Sequence, residues 1–166
     1  MGIWTATPRT WVAGEVPTAA NFNTDVRDFG RAFADAWTSY TPTLTASTTN
    51  PTNWTQTGYY MRAGKLVICK FKLTAGASVT AGSGTYRIAL PVNANTTVPF
   101  GPCFAYALDA SASSIIRPHV SIDNTAYVVL YYPATWPSGV NTAVTNSTYT
   151  WASGDAIGGS LIYEAA

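Results

Sequence analysis

The segment 65–74, KLVICKFKLT, alternates apolar and polar side chains more regularly than any other part of the chain. Apolar side chains recur at Val67, Cys69, Phe71 and Leu73, and most of the positions between them are polar or charged. In a β-strand successive side chains point to opposite faces, so this period of two predicts a strand with one buried face.

A β-hairpin and a series of further short strands are predicted around this segment. Residues 58–62 precede it, and Ala63-Gly64 is typical of a tight turn. Further strands are predicted at 85–90, 104–109, 115–122, 126–132, 147–151 and 156–163. Pro118 falls inside one of them, which indicates an edge strand or a bulge. Short strands separated by Gly, Pro, Ser, Thr and Asn predict a mainly β fold, an antiparallel, jelly-roll-like β-sandwich.

The residues before this β-region have a different character. Residues 1–17 are broken by proline and glycine but carry large apolar side chains, among them Ile3, Trp4, Trp11 and Val12. They predict an extended arm that packs on another surface. We therefore divide the chain into an arm and helix, 1–38, and a β-sandwich domain, 39–166.

One short α-helix is predicted at 18–37, with the Thr18 hydroxyl as its N-cap. Its apolar positions are spaced by three and four residues and form a single stripe. The stripe consists of Phe22, Val26, Phe29, Phe33 and either Ala36 or Trp37. It could face symmetry-related copies in a short bundle or lie on the chain's own sheet.

Charge and composition exclude several classes of function. Charged residues make up 10% of the chain and the net charge is +1, so no basic excess favours nucleic-acid binding. No apolar run approaches the roughly 20 residues of a membrane-spanning helix. The N-terminus lacks a secretory pattern, which predicts a cytoplasmic origin. Cys69 and Cys103 are therefore expected to be free thiols, although the sequence leaves a disulfide open.

No arrangement of residues indicates catalysis, a metal or a cofactor. His119 is the only histidine and has no nucleophile motif beside it. Carboxylates after residue 35 are sparse, and no pair is spaced in a way that predicts acid–base chemistry; they are Asp109, Asp123, Asp155 and Glu164. We therefore expect no enzyme activity. The many Tyr and Trp side chains fit a sandwich core, subunit interfaces or a glycan-binding surface.

A succession of short landmarks resembles virion proteins of tailed bacteriophages, especially those of actinobacteria. It begins with Thr10-Trp11-Val12-Ala13-Gly14, continues through Thr18-Ala19-Ala20-Asn21 and Tyr40-Thr41-Pro42, and ends with Trp151-x-x-Gly154-Asp155 and Tyr163-Glu164. Between them lie Gly58-x-Tyr60-x-Arg62-x-Gly64-Lys65 and Gly84-x-Tyr86-x-Ile88-x-Leu90-Pro91. The order resembles head-decoration, head-fibre and minor tail proteins.

This resemblance implies a structural virion protein, assembled in the host cytoplasm, with no catalytic residues. A homotrimer is implied, its interface formed by the stripe Phe22, Val26, Phe29, Phe33 and Trp37. Ile3, Trp4, Trp11 and Val12 would attach it to the major capsid protein or to a tail protein of the same virion. The alternative is a tail-associated protein that binds a host receptor or a cell-surface glycan.

Overall fold

The structure is a computed structural model that describes residues 10, 12–23, 30, 37–97, 103–132, 142–144 and 150–166. Among these described residues, helix α1 (Ala19–Phe22) precedes eleven strands. The strands are β1 (Thr38–Tyr40), β2 (Leu44–Ala46), β3 (Thr52–Ala63), β4 (Leu66–Thr80), β5 (Tyr86–Ala89), β6 (Cys103–Asp109), β7 (Ser114–Ile116), β8 (His119–Asn124), β9 (Tyr127–Tyr132), β10 (Thr142–Ala143) and β11 (Ala156–Glu164).

The strands form two antiparallel sheets. The six-stranded sheet has the order β1-β3-β4-β11-β6-β7, and the five-stranded sheet has the order β10-β9-β5-β2 with β8 paired to β9. Buried side chains from both sheets form one hydrophobic cluster. The prediction of a mainly β, antiparallel sandwich is confirmed. The jelly-roll description and the extended arm stay predictions.

Strand β4 supplies the central row of the core. Val67, Cys69 and Leu73 are fully buried, and Phe71 is nearly so. The predicted alternation is therefore confirmed. Side chains of the five-stranded sheet pack against the same cluster; they include Leu44, Tyr86, Ile88, Val120, Val128 and Leu130.

The β3–β4 hairpin is confirmed, with its turn one residue later than predicted. Ala63 pairs with Leu66, so Gly64 and Lys65 form a two-residue turn. Gly64 has φ +59°, which matches the left-handed first position of the turns that join hairpin strands.

The prediction of one strand over 115–122 is wrong. The chain forms β7 at the edge of the six-stranded sheet and β8 in the five-stranded sheet, with Arg117 and Pro118 between them. Pro118 has no N–H to donate to a ladder, so pairing ends there and the chain crosses between sheets. Pro118 therefore lies in neither the edge strand nor the bulge that was expected, but in the crossing between β7 and β8, each an edge strand of its sheet.

Two further predictions reach beyond the described residues. Thr18 is the N-cap, as predicted, and its Oγ1 accepts a hydrogen bond from the N–H of Asn21 at 3.2 Å. Helix α1 occupies the start of the predicted 18–37 helix, whereas 24–29 and 31–36 lie outside the described residues. Of the predicted strand 147–151, residues 147–149 also lie outside them, and Trp151 is not in a strand.

Three aromatic rings join the two sheets at one end of the core. The ring of Trp151 meets the ring of Trp54 edge-on, with centroids 5.1 Å apart, and lies 6.1 Å from the ring of Tyr86. Trp54 belongs to the six-stranded sheet and Tyr86 to the five-stranded sheet. The Tyr86 hydroxyl donates to the carbonyl of Ala81 at 2.6 Å, which satisfies the polar end of a buried ring.

The two cysteines are free thiols, as expected. Leu161 of β11 pairs with Cys69 on one side and with Cys103 on the other, so a whole strand separates them. Two strand spacings amount to about 10 Å between Cα atoms, beyond the roughly 7 Å that a disulfide spans.

Burial raises the pKa of three weakly acidic groups that lie close together, the Cys69 thiol and the hydroxyls of Tyr40 and Tyr163. It raises the pKa of the Cys69 thiol to about 12. Burial also raises the pKa of Tyr40 and of Tyr163, and the neighbouring Cys69 thiol adds to both shifts. The Tyr163 hydroxyl donates to the carbonyl of Val92 at 2.8 Å. This part of the core therefore stays neutral well into the alkaline range.

These shifts predict a loss of stability in base. Groups with a raised pKa in the folded chain hold their protons after the unfolded chain has lost them, so unfolding becomes more favourable as pH rises. We expect the free energy of unfolding, measured by urea titration, to be constant between about pH 6 and pH 8 and to fall from about pH 9 upward. Tyr40→Phe should make the fall less steep. Unchanged stability from pH 9 to 12 would contradict the assignment.

Candidate ligand-binding groove

The outer face of the six-stranded sheet carries the side chains that alternate with the buried ones. Lys70 of β4 pairs with Ser160 of β11, and Ser160 pairs with Phe104 of β6. All three side chains are exposed, and Phe104 retains 71% of its accessible surface. A cation, a hydroxyl and an aromatic ring therefore lie in one row across three neighbouring strands.

A groove of about 590 Å³ runs along this row. Lys70 forms one side, Phe104, Tyr106 and Arg117 form the other, and Gly159 and Ser160 lie between them. A smaller depression of about 220 Å³ lies on the far side of Lys70, where it is lined by Thr57, Tyr59, Phe71 and Lys72.

Small residues on the central strand β11 create the groove. Ala156, Gly158 and Ser160 are its outward positions, between the longer side chains of β4 and β6. A Cβ on Gly158 would lie 2.5 Å from three atoms of the Tyr106 side chain, so the Tyr106 ring lies directly over this glycine. Because Gly158 has no side chain, the Tyr106 ring in one wall of the groove lies directly against the main chain of the sheet.

The groove is positively charged. Lys70 and Arg117 line it, and Lys72 follows Lys70 on the same face. No carboxylate is among the described side chains that line either depression. At one end of this sheet Lys65 Nζ lies 3.2 Å from Glu164 Oε1.

Two aromatic rings hold the Lys70 ammonium in place. Its Nζ lies 4.6 Å from the ring centroid of Trp37 and 5.8 Å from that of Tyr59. Both distances are within the range of cation–π attraction. The contacts bias the flexible lysine toward one arrangement without neutralising its charge.

The predicted interface and attachment residues are only partly described. Val12, Phe22 and Trp37 are exposed by 70%, 54% and 39%. Trp37 lies against Lys70 at the entry to β1. The other predicted residues lie outside the described residues; they are Ile3, Trp4, Trp11, Val26, Phe29 and Phe33.

Two of the titratable residues examined for a catalytic role, His119 and Asp109, lie on the surface and in a turn. His119 is exposed on β8. The Oδ1 of Asp109 accepts from the hydroxyl of Ser111 and the N–H of Ala112, and these bonds lower its pKa. Among the described residues, no group of three His, Cys, Asp or Glu side chains could hold a metal ion.

Asp155 is a buried structural carboxylate, only 1% exposed. Its Oδ1 accepts from the N–H of Ala110 at 3.0 Å, and its Oδ2 accepts from the N–H of Ala152 at 2.8 Å. Its main chain bonds to Ala75 as well. Asp155 thus ties together three chain segments at one end of the sandwich.

No family model, curated protein or solved structure matches this chain. Within the part of the chain that the structure describes, no helix is long and apolar enough to span a membrane.

The groove was not predicted from the sequence. Its residues come from three separate strands, and their adjacency depends on which strands pair. The available signal was the run of small residues in β11, Gly158-Gly159-Ser160, in a strand expected to carry larger side chains.

Gly158→Ala tests the contact between ring and backbone. The new methyl group must displace the Tyr106 ring, so we expect a loss of about 1 to 3 kcal/mol in the free energy of unfolding. Ser160→Ala, on the same face of the same strand, is the control and should change it by less than about 0.5 kcal/mol. Equal changes in the free energy of unfolding for the two variants, measured in urea, would contradict the close contact between the Tyr106 ring and Gly158.

Asp155→Ala tests the buried carboxylate. It removes the acceptor of the Ala110 and Ala152 N–H groups, and each lost hydrogen bond costs about 0.5 to 1.5 kcal/mol. We expect a markedly lower unfolding midpoint in urea, with Asp155→Asn in between because its amide oxygen still accepts. Asp109→Ala is the comparison in the adjoining turn and should cost less. A stable Asp155→Ala protein would show that the carboxylate does not hold this end together.

Proposed function

We propose that the chain is a structural virion protein of a tailed phage, a homotrimeric capsid decoration or fibre protein anchored through its N-terminal residues. The role is structural rather than catalytic. The observation that carries the proposal is the apolar surface that the described N-terminal residues leave uncovered.

That surface lies on residues 12–22. Val12 is 70% exposed, Val16 is 82% exposed and Phe22 is 54% exposed. Helix α1 has no buried residue. Burying one such side chain fully contributes about 1.5 to 3 kcal/mol, so this segment gains stability when another surface covers it.

The β-sandwich has a core of its own. Its buried cluster draws on both sheets, and among the described residues none of its members precedes β1. The domain can therefore project from a particle while the N-terminal residues attach. Three copies would multiply weak attachments through their effective concentration.

A tail-associated receptor- or glycan-binding protein is the second candidate. The groove on the six-stranded sheet favours it, since that groove presents the exposed Phe104 ring and the cations Lys70 and Arg117, with no carboxylate among the described residues that line it.

The attachment test uses full-length protein with Val16→Asp and Phe22→Asp together. Because these side chains are exposed, the thermal unfolding midpoint should stay unchanged, whereas the variant should be strongly depleted from purified particles relative to wild type. Quantitative mass spectrometry of the particles measures the copy number. Ile115→Asp is the matched control, since Ile115 is 60% exposed on the sandwich, and it should be incorporated normally.

The same samples test the trimer. Sedimentation equilibrium should give about three times the 17.6 kDa chain mass for wild type and a smaller mass for the Val16→Asp, Phe22→Asp protein. Normal incorporation of that variant, or a wild-type monomer, would contradict the proposal.

A further inference from the structure

We propose that the groove along β11 binds an acidic carbohydrate, a chain of sugar rings that carries carboxylates. The inference rests on the second candidate function and does not depend on where the chain sits in a particle. Four features of the groove support it: its exposed aromatic ring, its cations, its hydroxyl groups and its low charge density.

The exposed Phe104 ring provides a stacking surface. It retains 71% of its accessible surface beside a groove, on a strand whose alternate side chains are in the core. Aromatic faces carry partial negative charge, and the C–H groups on one side of a sugar ring carry partial positive charge, so the two attract. Tyr106 extends the same wall, and its orientation is fixed over Gly158.

The cations stand on opposite sides of the groove. Lys70 is on β4, and Arg117 directly follows the last residue of β7, three strands away in the sheet. Their main chains lie three strand spacings apart across the sheet, about 14 Å, and two residues apart along the strands. A ligand that lies across β11 could therefore meet a cation on either side. Arg117 has the planar donor geometry that pairs with a carboxylate through two hydrogen bonds.

The floor of the groove suits hydroxyl groups. Ser160 presents a hydroxyl that can both donate and accept. The Tyr106 hydroxyl offers a second such group on the wall. Polar groups beside a wall of aromatic rings match a polyhydroxylated ring better than a purely apolar ligand.

The charge density favours a sparsely charged ligand over a nucleic acid. Nucleic acids carry a phosphate on every nucleotide, and their binding sites neutralise many of them. Among the described residues, the cations that line the two depressions are Lys70, Lys72 and Arg117, in a chain of net charge +1. This number of cations matches a polymer with a charge on some of its units.

The test is isothermal titration of the full-length protein with oligogalacturonate, oligoglucuronate and a sialylated oligosaccharide. Each is paired with its neutral counterpart, in which the carboxylate has been reduced to an alcohol. We expect saturable binding of at least one acidic sugar, weaker binding of its neutral partner, and further weakening in 0.5 M salt because the cations are exposed.

Groove variants identify the site. Phe104→Ala, and separately Lys70→Gln with Arg117→Gln, should each weaken binding about tenfold, the scale expected for losing one stacked ring or a pair of exposed charges. Lys65→Gln is the matched charge control, since Lys65 lies at the β3–β4 turn beside Glu164, away from the groove. It should bind as wild type does.

Three results would overturn the proposal. They are no saturable binding of any acidic sugar, binding that the groove variants leave unchanged, and tighter binding of oligothymidylate than of every sugar. Failure of particle incorporation by the Val16→Asp, Phe22→Asp protein bears on the attachment proposal alone, because those residues are not in the groove.

Discussion

The structure depends on one row of apolar side chains on β4 packed between two sheets. Val67, Cys69, Phe71 and Leu73 reach the core from a single strand, which pairs with β3 on one side and β11 on the other. Because side chains alternate along a strand, burying this row forces the lysines onto the outer face. The hydrophobic core and the positive charge of the groove thus follow from the same alternation.

Contacts between aromatic rings and glycines shape the six-stranded sheet on both faces. On the inner face Tyr40 lies against Gly58, and on the outer face Tyr106 lies over Gly158. A glycine in a strand loses side-chain packing, and a neighbouring ring that covers the bare backbone restores it. The groove exists because β11, in the middle of the sheet, has small outward residues, and the Tyr106 ring covers the main chain of one of them, Gly158.

The landmark Trp151-x-x-Gly154-Asp155 gains a structural explanation. Trp151 packs between rings from both sheets, Gly154 takes φ +92°, and Asp155 accepts hydrogen bonds from two separate segments. These residues close one end of the sandwich. The Asp155 carboxylate therefore has a structural role at this end of the sandwich.

The sequence by itself determined the mainly β class, the buried face of β4, the β3–β4 hairpin and the Thr18 cap, because each depends on side chains near one another along the chain. It could not place Pro118 correctly, since a sheet crossing and a bulge leave the same local pattern. Only the tertiary structure decided that Lys70, Ser160 and Phe104 share a row and that Leu161 separates Cys69 from Cys103. Those facts require knowing that the last strand inserts between β4 and β6, and strand pairing across some ninety residues is set by packing of the whole core.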